Sequence, residues 1–208
     1  KSNRDTVSLK YIVSAIAPDT VSINVFYSID NNAWIKIDTS QLSGKFSGIT
    51  KFLPYDIIWK SRDTSISNAS QIESRNVRIA IVPKGLGNAG DTVVTNTFTL
   101  DNRSPQFTGI EKLDFNSKLK IAKLIVSQAK DGSMPISYKI YVSQKENQFT
   151  GVTAIDAVPI RINAALDTIE LPVIKFKLFQ KNYVRVVAFD SIGNSTQAPS
   201  DSVIVPAS

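Results

Sequence analysis

Residues 136–143 read Ile-Ser-Tyr-Lys-Ile-Tyr-Val-Ser, and residues 182–190 read Asn-Tyr-Val-Arg-Val-Val-Ala-Phe-Asp. The first half of the chain carries a loosely parallel pair, Val-Ser-Ile-Asn-Val-Phe-Tyr-Ser over residues 21–28 and Asn-Val-Arg-Ile-Ala-Ile-Val-Pro over residues 76–83. Alternation of this kind is typical of half-buried strands, because successive side chains point to opposite faces of a sheet. The repeat predicts two β-sandwiches in tandem.

Turn residues separate further strand-like segments in both halves. In the first half we predict strands over Val7–Ala15, Val21–Ile29, Trp34–Ile37, Tyr55–Lys60, Asn76–Pro83 and Val93–Leu100. In the second half we predict strands over Gln106–Leu113, Leu119–Ser127, Ile136–Ser143, Ala154–Ile162, Asp167–Val173, Asn182–Asp190 and Ser202–Val205. The polar run Asp101–Pro105 ends in proline and is predicted to join two domains, residues 1–102 and 103–208. The predicted fold class is all-β, with two tandem antiparallel sandwiches.

Charge and hydropathy argue against two kinds of partner. The net charge is +6, and 12 basic and 9 acidic residues lie on each side of a division made after Arg103. Because the basic residues are spread evenly and alternate with apolar ones, they indicate solvated strand faces, and no nucleic-acid partner is predicted. No apolar run approaches the ~20 residues that cross a bilayer, so no membrane insertion is predicted.

The residue types needed for most catalytic sites are missing. The chain has neither histidine nor cysteine, which excludes Ser-His-Asp and Cys-His arrangements and His- or Cys-based zinc sites. Turn aspartates usually accept hydrogen bonds from their own backbone, and we prefer that role over a glycosidase pair. They are Asp19, Asp30, Asp91, Asp101, Asp131, Asp190 and Asp201. The protein is predicted not to be an enzyme.

The second half resembles a fibronectin type III domain of the bacterial secreted kind, over about Pro105–Ser208. The resemblance is carried by Tyr138–Ser143, which matches the third strand of that family, and by Tyr183–Ser195, which matches the sixth strand with its D-x-x-G-N turn. It implies that Tyr183 is the tyrosine-corner residue, whose hydroxyl bonds to backbone just upstream.

The first half is similar to a related bacterial surface module. The matching string is Val25–Trp34, which reads like V-x-Y-S-x-D-G-G-x-x-W with Asn31 and Asn32 in place of the glycines. These resemblances imply a non-enzymatic structural or adhesive segment of a secreted or surface-anchored bacterial protein or extracellular assembly, and hence an extracellular or cell-surface location. The alternative is a carbohydrate- or protein-binding accessory module of an exported enzyme.

Two candidate sites follow from the sequence. Tyr141 lies on the strand face opposite Tyr138 and Ile140, which makes it the candidate for an exposed, ligand-stacking ring. No cofactor is predicted, and the alternative is calcium at the Asp101 linker, with Asp190 or Asp30 nearby. Calcium takes six to eight oxygen ligands, whereas this linker offers one carboxylate.

The alternation also predicts the two cores. Expected buried residues are Val25, Tyr27, Trp34, Trp59, Ile79 and Ile81 in the first domain, and Ile121, Tyr138, Ile140, Val184, Val186 and Val203 in the second.

The first domain has little sequence for an opening strand. Only residues 1–6 precede the Val7–Ala15 strand, and Lys-Ser-Asn-Arg-Asp-Thr is too polar to be expected in a sheet. Two outcomes stay open. The domain either has six strands, or it is completed by an upstream segment or another chain that adds a strand beside Val7–Ala15.

Overall fold

A computed structural model gives the architecture of the protein. It describes residues 2–3, 5–14, 20–50, 52–62, 72–85, 88–116, 118–157, 159–161, 165–197 and 201–204. The chain divides into two compact units, Lys1–Arg103 (unit 1) and Ser104–Ser208 (unit 2). Each unit is a β-sandwich of two sheets, so the predicted all-β fold class is confirmed. Within the described residues, no helix is long and apolar enough to span a bilayer.

Unit 1 is built from short and long strands and includes a 3₁₀ turn at Thr39–Gln41. The strands are β1 (Ser2–Asn3), β2 (Val7–Ile12), β3 (Thr20–Ile29), β4 (Ile35–Lys36), β5 (Leu42–Gly44), β6 (Ile49–Thr50), β7 (Pro54–Trp59), β8 (Glu73–Gly85), β9 (Asn88–Ala89), β10 (Val93–Val94) and β11 (Phe98–Asp101). One sheet has the order β1-β11-β8-β3-β4, with β6 beside β3 and both β9 and β10 beside β8. The other has the order β2-β7-β5. The described strand pairs are antiparallel except β1 with β11, which is parallel.

The core of unit 1 lies between these two sheets and confirms most of the predicted residues. Val25, Tyr27, Trp59 and Ile79 are buried, and Ile81 is half-buried against the same cluster. The Tyr27 and Trp59 rings stack with centroids 4.9 Å apart and join the two sheets. Alternation identified these positions because each strand buries one face only.

The tight turns of unit 1 depend on backbone that few residues adopt. In the turn after β3, Asp30 and Asn31 have φ of 51° and 62°, and the Asn32 N–H donates to the Ile29 carbonyl over 2.9 Å. Positive φ at both central residues defines a type I′ hairpin turn. The glycine-like positions are therefore Asp30 and Asn31, one residue before the predicted Asn31 and Asn32.

The start of unit 1 corrects one prediction. Ser2–Asn3 does form a strand, although the polar residues 1–6 were expected not to, because pairing with Thr99 and Leu100 uses the backbone alone. This strand belongs to the larger sheet, so it does not cover β2. Asp101 corrects another, since this first residue of the predicted linker is the last residue of β11 and is buried, as is Asn102.

Unit 2 consists of β12 (Ile110–Asn116), β13 (Ile121–Ser127), β14 (Ser137–Ser143), β15 (Ile155–Ala157), β16 (Ile160–Arg161), β17 (Leu166–Pro172), β18 (Lys181–Phe189), β19 (Ser195–Gln197) and β20 (Asp201–Ile204). A 3₁₀ turn, Val173–Lys175, follows β17. One sheet has the order β12-β13-β17-β16 and the other β15-β14-β18-β19, with β20 also beside β18.

The core of unit 2 again fills the space between two sheets. Tyr138, Ile140, Val184 and Val186 are buried as predicted, whereas Ile121 is half-buried. The predicted core residue Val203 has a side chain outside the described residues. The Tyr138 hydroxyl accepts a hydrogen bond from the Ala129 N–H over 3.0 Å, which satisfies the one polar atom of this buried ring.

Candidate functional site

The outer face of one sheet of unit 2 carries the candidate ligand-binding residue Tyr141. Along β14, buried Tyr138 and Ile140 alternate with half-buried Lys139 and Tyr141, so Tyr141 points away from the core as the alternation predicted. Strand pairing places Tyr141 directly opposite Arg185 of β18. The contacts of Arg185 therefore determine which groups stand beside the Tyr141 ring on this face.

The Arg185 guanidinium group is fixed by a ring and an amide. Its Cζ atom lies 4.2 Å from the centroid of the Phe149 ring, and Nη2 donates to Asn147 Oδ1 over 3.1 Å. The Nε atom is buried and has no hydrogen-bond partner among the described residues. Leaving a buried donor unpaired costs about 1–3 kcal/mol. A cation over an aromatic face contributes about 0.5–2 kcal/mol, so the Phe149 contact offsets much of that cost.

Two more cation–ring contacts occur on β14 and β18. Lys139 Nζ lies 5.3 Å from the Phe189 ring centroid, and Lys181 Nζ lies 5.1 Å from the Tyr183 ring centroid. We call this surface the ladder face and define it by five residues of the two strands: Lys139, Tyr141, Lys181, Tyr183 and Arg185. Its side chains combine two phenol rings with three positive charges.

The ladder face has the chemistry of a stacking surface. Tyr183 lies two residues before Arg185 on β18, so it is the diagonal neighbour of Tyr141 on the adjacent strand. Aromatic faces stack on sugar rings and other apolar faces, and cations attract acidic groups. The sequence identified Tyr141 alone, because Tyr183 was assigned a different role.

That role, the tyrosine corner implied by the family resemblance, is performed by Asn182 instead. Asn182 is fully buried, and its Oδ1 accepts from the Lys177 N–H over 2.8 Å. Its Nδ2 donates to the carbonyls of Lys177 and Gln180, each over 2.9 Å. The resemblance placed the corner one residue too late, so Tyr183 is a half-buried ring of the outer face.

Unit 1 places an arginine in the same way, under Trp34. Arg78 Cζ lies 5.6 Å from the Trp34 ring, and its Nε is likewise buried without a partner among the described residues. The prediction that Trp34 is a core residue is wrong, since it is 42% exposed. It precedes Ile35, which lies opposite the core residue Tyr27, and side chains alternate between faces. Trp34 therefore covers Arg78 on the outer face.

Three of the predicted turn aspartates, Asp190, Asp131 and Asp101, bond to their own turns, while Asp19 lies outside the described residues. Asp190 is buried, and its Oδ1 accepts from the N–H groups of Ile192, Gly193 and Asn194. Its Oδ2 accepts from Asn194 Nδ2 over 2.7 Å. Asp131 and Asp101 each accept from the N–H two residues later, over 2.7 and 3.0 Å.

The hydrogen bonds of these aspartates also limit their capacity to bind calcium. An oxygen of Asp131 and one of Asp190 lie within 4.8 Å of each other in unit 2. Both oxygens of Asp190 already accept hydrogen bonds, which leaves it less capacity for a cation. Asp30, in the hairpin turn after β3 of unit 1, accepts through Oδ1 from the Ser74 hydroxyl of β8 over 2.8 Å. Calcium therefore stays an alternative that these hydrogen bonds do not favour.

The outer edge of β2 is the second surface of interest. Among the described strands β2 ends its sheet, with β7 as its neighbour on one side. Leu9 and Tyr11 are partly buried against the core, and the Tyr11 hydroxyl donates to the Lys45 carbonyl. Burial, helped by the neighbouring Tyr55, raises the pKa of Tyr11 to about 12. The edge combines open backbone with a partly covered apolar strip.

Comparison with known proteins finds similarity among solved structures. No family model and no curated protein matches the chain. The chain is similar to the FN1-FN3 domains of chicken CNTN1, with 10% identity and a TM-score of 0.47 over 100% of this chain and 68% of that one. It is also similar to the chicken interferon gamma receptor alpha chain, with 10% identity and a TM-score of 0.34 over 99% and 95% of the two chains. At this identity the likeness concerns the fold, which rests on the strand order and register described above.

Proposed function

We propose that the protein is a non-enzymatic structural or adhesive segment of a secreted or surface-anchored bacterial protein or extracellular assembly. The observation that carries the proposal is that the buried polar side chains of the protein form structural hydrogen bonds. The buried polar side chains that could take part in chemistry, such as Asp190 and Asn182, instead hold turns and strand ends in place. The bacterial and extracellular parts of the proposal rest on the sequence resemblance.

The location can be tested on intact cells of the source organism. Protease treatment of unbroken cells should release peptides of this chain into the medium, where mass spectrometry identifies them. A cytosolic protein followed in parallel controls for lysis. Recovery of the chain only after the cells are broken would contradict the proposed location.

A second candidate function is ligand binding through the ladder face, as in an accessory module of an exported enzyme. The observation that favours it is that Tyr141 is not alone, since Tyr183 shares its face across the paired strands. Two rings that share a face can stack on a sugar or an apolar protein surface, which one ring does poorly.

A glycan array and a panel of surface proteins, both probed with the full chain, separate the two functions. Under the binding hypothesis, Tyr141→Ala lowers binding about fivefold or more, since stacking contributes on the order of 1 kcal/mol. Tyr141→Phe is the matched control, because it keeps the ring and removes the hydroxyl. Absence of specific binding by the wild type favours the structural role.

A further inference from the structure

The two units of this chain provide a matched comparison for the open edge of β2. Strand β2 pairs with β7 so that Lys10 lies opposite Asp56, and strand β13 pairs with β17 so that Lys123 lies opposite Glu170. The two lysine–carboxylate pairs align β2 with β13. On this alignment Leu9 of unit 1 corresponds to Ala122 of unit 2.

The other side of the aligned strands differs between the units. In unit 2, β12 pairs with β13 along residues 110–116 and forms the outermost strand of that sheet. In unit 1, β2 is itself outermost among the described strands. The short strand β1 does not take this place, because it pairs with β11 in the opposite sheet.

The aligned side chains are buried to different extents in the two units. Ala122 and Leu124 of β13 have no exposed surface, and β12 lies beside them. Leu9 and Tyr11, their counterparts in β2, are only half-buried although they contact the core. Unit 1 therefore has a strip of core that one more strand would cover, next to an edge of strand backbone.

Strand β12 shows which chemistry such a strand needs. Its Asp114 lies opposite Lys123 in register and forms an ion pair with Lys112 of its own strand over 2.6 Å, and Leu113 and Phe115 pack against the core. A strand beside β2 would meet Lys10 in the same position, and Lys10 is the one charged residue of β2. Lys10 Nζ already lies 3.9 Å from Asp56 Oδ1 of β7, and a second copy of β2 would add another Lys10 and no acidic side chain.

We propose that unit 1 binds an extended partner segment, in which an acidic residue stands between two apolar residues, as an antiparallel strand added to β2. The apolar residues cover Leu9 and Tyr11, and the acidic residue pairs with Lys10. The backbone hydrogen bonds supply affinity and the alternate side chains supply specificity. This inference goes beyond the proposed function and does not depend on the location of the protein.

A synthetic peptide with the sequence of residues 108–116, Thr-Gly-Ile-Glu-Lys-Leu-Asp-Phe-Asn, is the probe. Hydrogen–deuterium exchange of the full chain should slow over Val7–Ile12 when the peptide is added. Exchange over Ile121–Ser127 should not change, because that edge is already paired. The matched control is the same peptide with lysine in place of its aspartate.

Reversing the charge at Lys10 and on the peptide distinguishes loss of the ion pair from misfolding of the variant. The aspartate peptide should bind the wild type up to about fivefold more tightly than the lysine peptide, and Lys10→Glu should reverse that order. Unfolding of unit 1 cannot produce such a reversal.

Four results would overturn the inference. The first is no slowing of exchange over Val7–Ile12 at peptide concentrations up to about 1 mM. The second is equal binding of both peptides to both proteins, and the third is slow exchange of these amides in the free monomer. The fourth is protection that depends on chain concentration in the absence of peptide. The last would identify a second copy as the occupant.

Discussion

Replacement of Trp59 by alanine tests the core of unit 1 most directly. The Trp59 side chain has no exposed surface, and its ring stacks on Tyr27 at 4.9 Å with 25° between the planes. Strand pairing places Val7 on one side of it and Leu42 on the other. An alanine at this position leaves a cavity that reaches from one sheet to the other.

Trp59→Ala should lower the free energy of unfolding by about 3–5 kcal/mol, the usual cost of deleting a buried aromatic side chain. Trp59→Phe is the matched control. It keeps a ring against Tyr27 and removes the indole N–H, which is buried without a partner among the described residues. Because an unpaired buried donor is itself unfavourable, we expect the phenylalanine variant to lose less than about 1.5 kcal/mol.

Urea unfolding followed by fluorescence is the assay, since both tryptophans of the chain lie in unit 1. Trp34 remains the reporter in both Trp59 variants. With a slope of about 2 kcal/mol per molar urea, the midpoint of the alanine variant should fall by about 1.5–2.5 M. A loss below about 1 kcal/mol would mean that the indole lies on the surface, where it could serve a sugar-binding platform.

Three further predictions concern single features of the two units. Asn182→Ala should destabilise unit 2 by about 1–3 kcal/mol, because it unpairs backbone groups of Lys177 and Gln180. Thermal unfolding of both variants is the measurement: Tyr183→Ala should cost less than Asn182→Ala, and the opposite order would assign the tyrosine corner to Tyr183. Unit 1 should lose stability as the pH rises from 10 to about 12, since unfolded tyrosine ionises near 10.0 while folded Tyr11 stays neutral. Tyr11→Phe should make the urea midpoint fall less steeply with pH over that range, and an unchanged pH dependence would contradict the raised pKa of Tyr11. Residues 105–208 expressed alone should unfold in one cooperative transition by circular dichroism, and a gradual loss of signal would show that unit 2 lacks an independent core.

The strands and the cores could be predicted from sequence where alternation is regular. Residues such as Ile140 and Val186 occupy the predicted face because each strand buries one side. Alternation failed at strand ends. It could not decide between Asn182 and Tyr183, since the buried asparagine depends on three backbone groups of a loop that the pattern does not show.

The candidate surfaces could be predicted only in part. Tyr141 was identified, but the position of Arg185 depends on Phe149 and Asn147, which belong to a loop and carry no periodic signal. Trp34 was misplaced for a related reason, because a one-residue shift of the preceding turn changes the face that follows it.

The parallel pairing of β1 with β11 has a mechanical consequence. These strands are the first and last of unit 1, so tension applied to its two ends pulls them along their length in opposite directions. In that geometry the backbone hydrogen bonds between Ser2–Asn3 and Thr99–Leu100 are loaded together in shear. The Asp5 N–H, which donates to Asn102 Oδ1 over 3.0 Å, lies at the same joint and shares the load. Unit 1 is thus built to resist stretching from its termini more strongly than peeling from one edge.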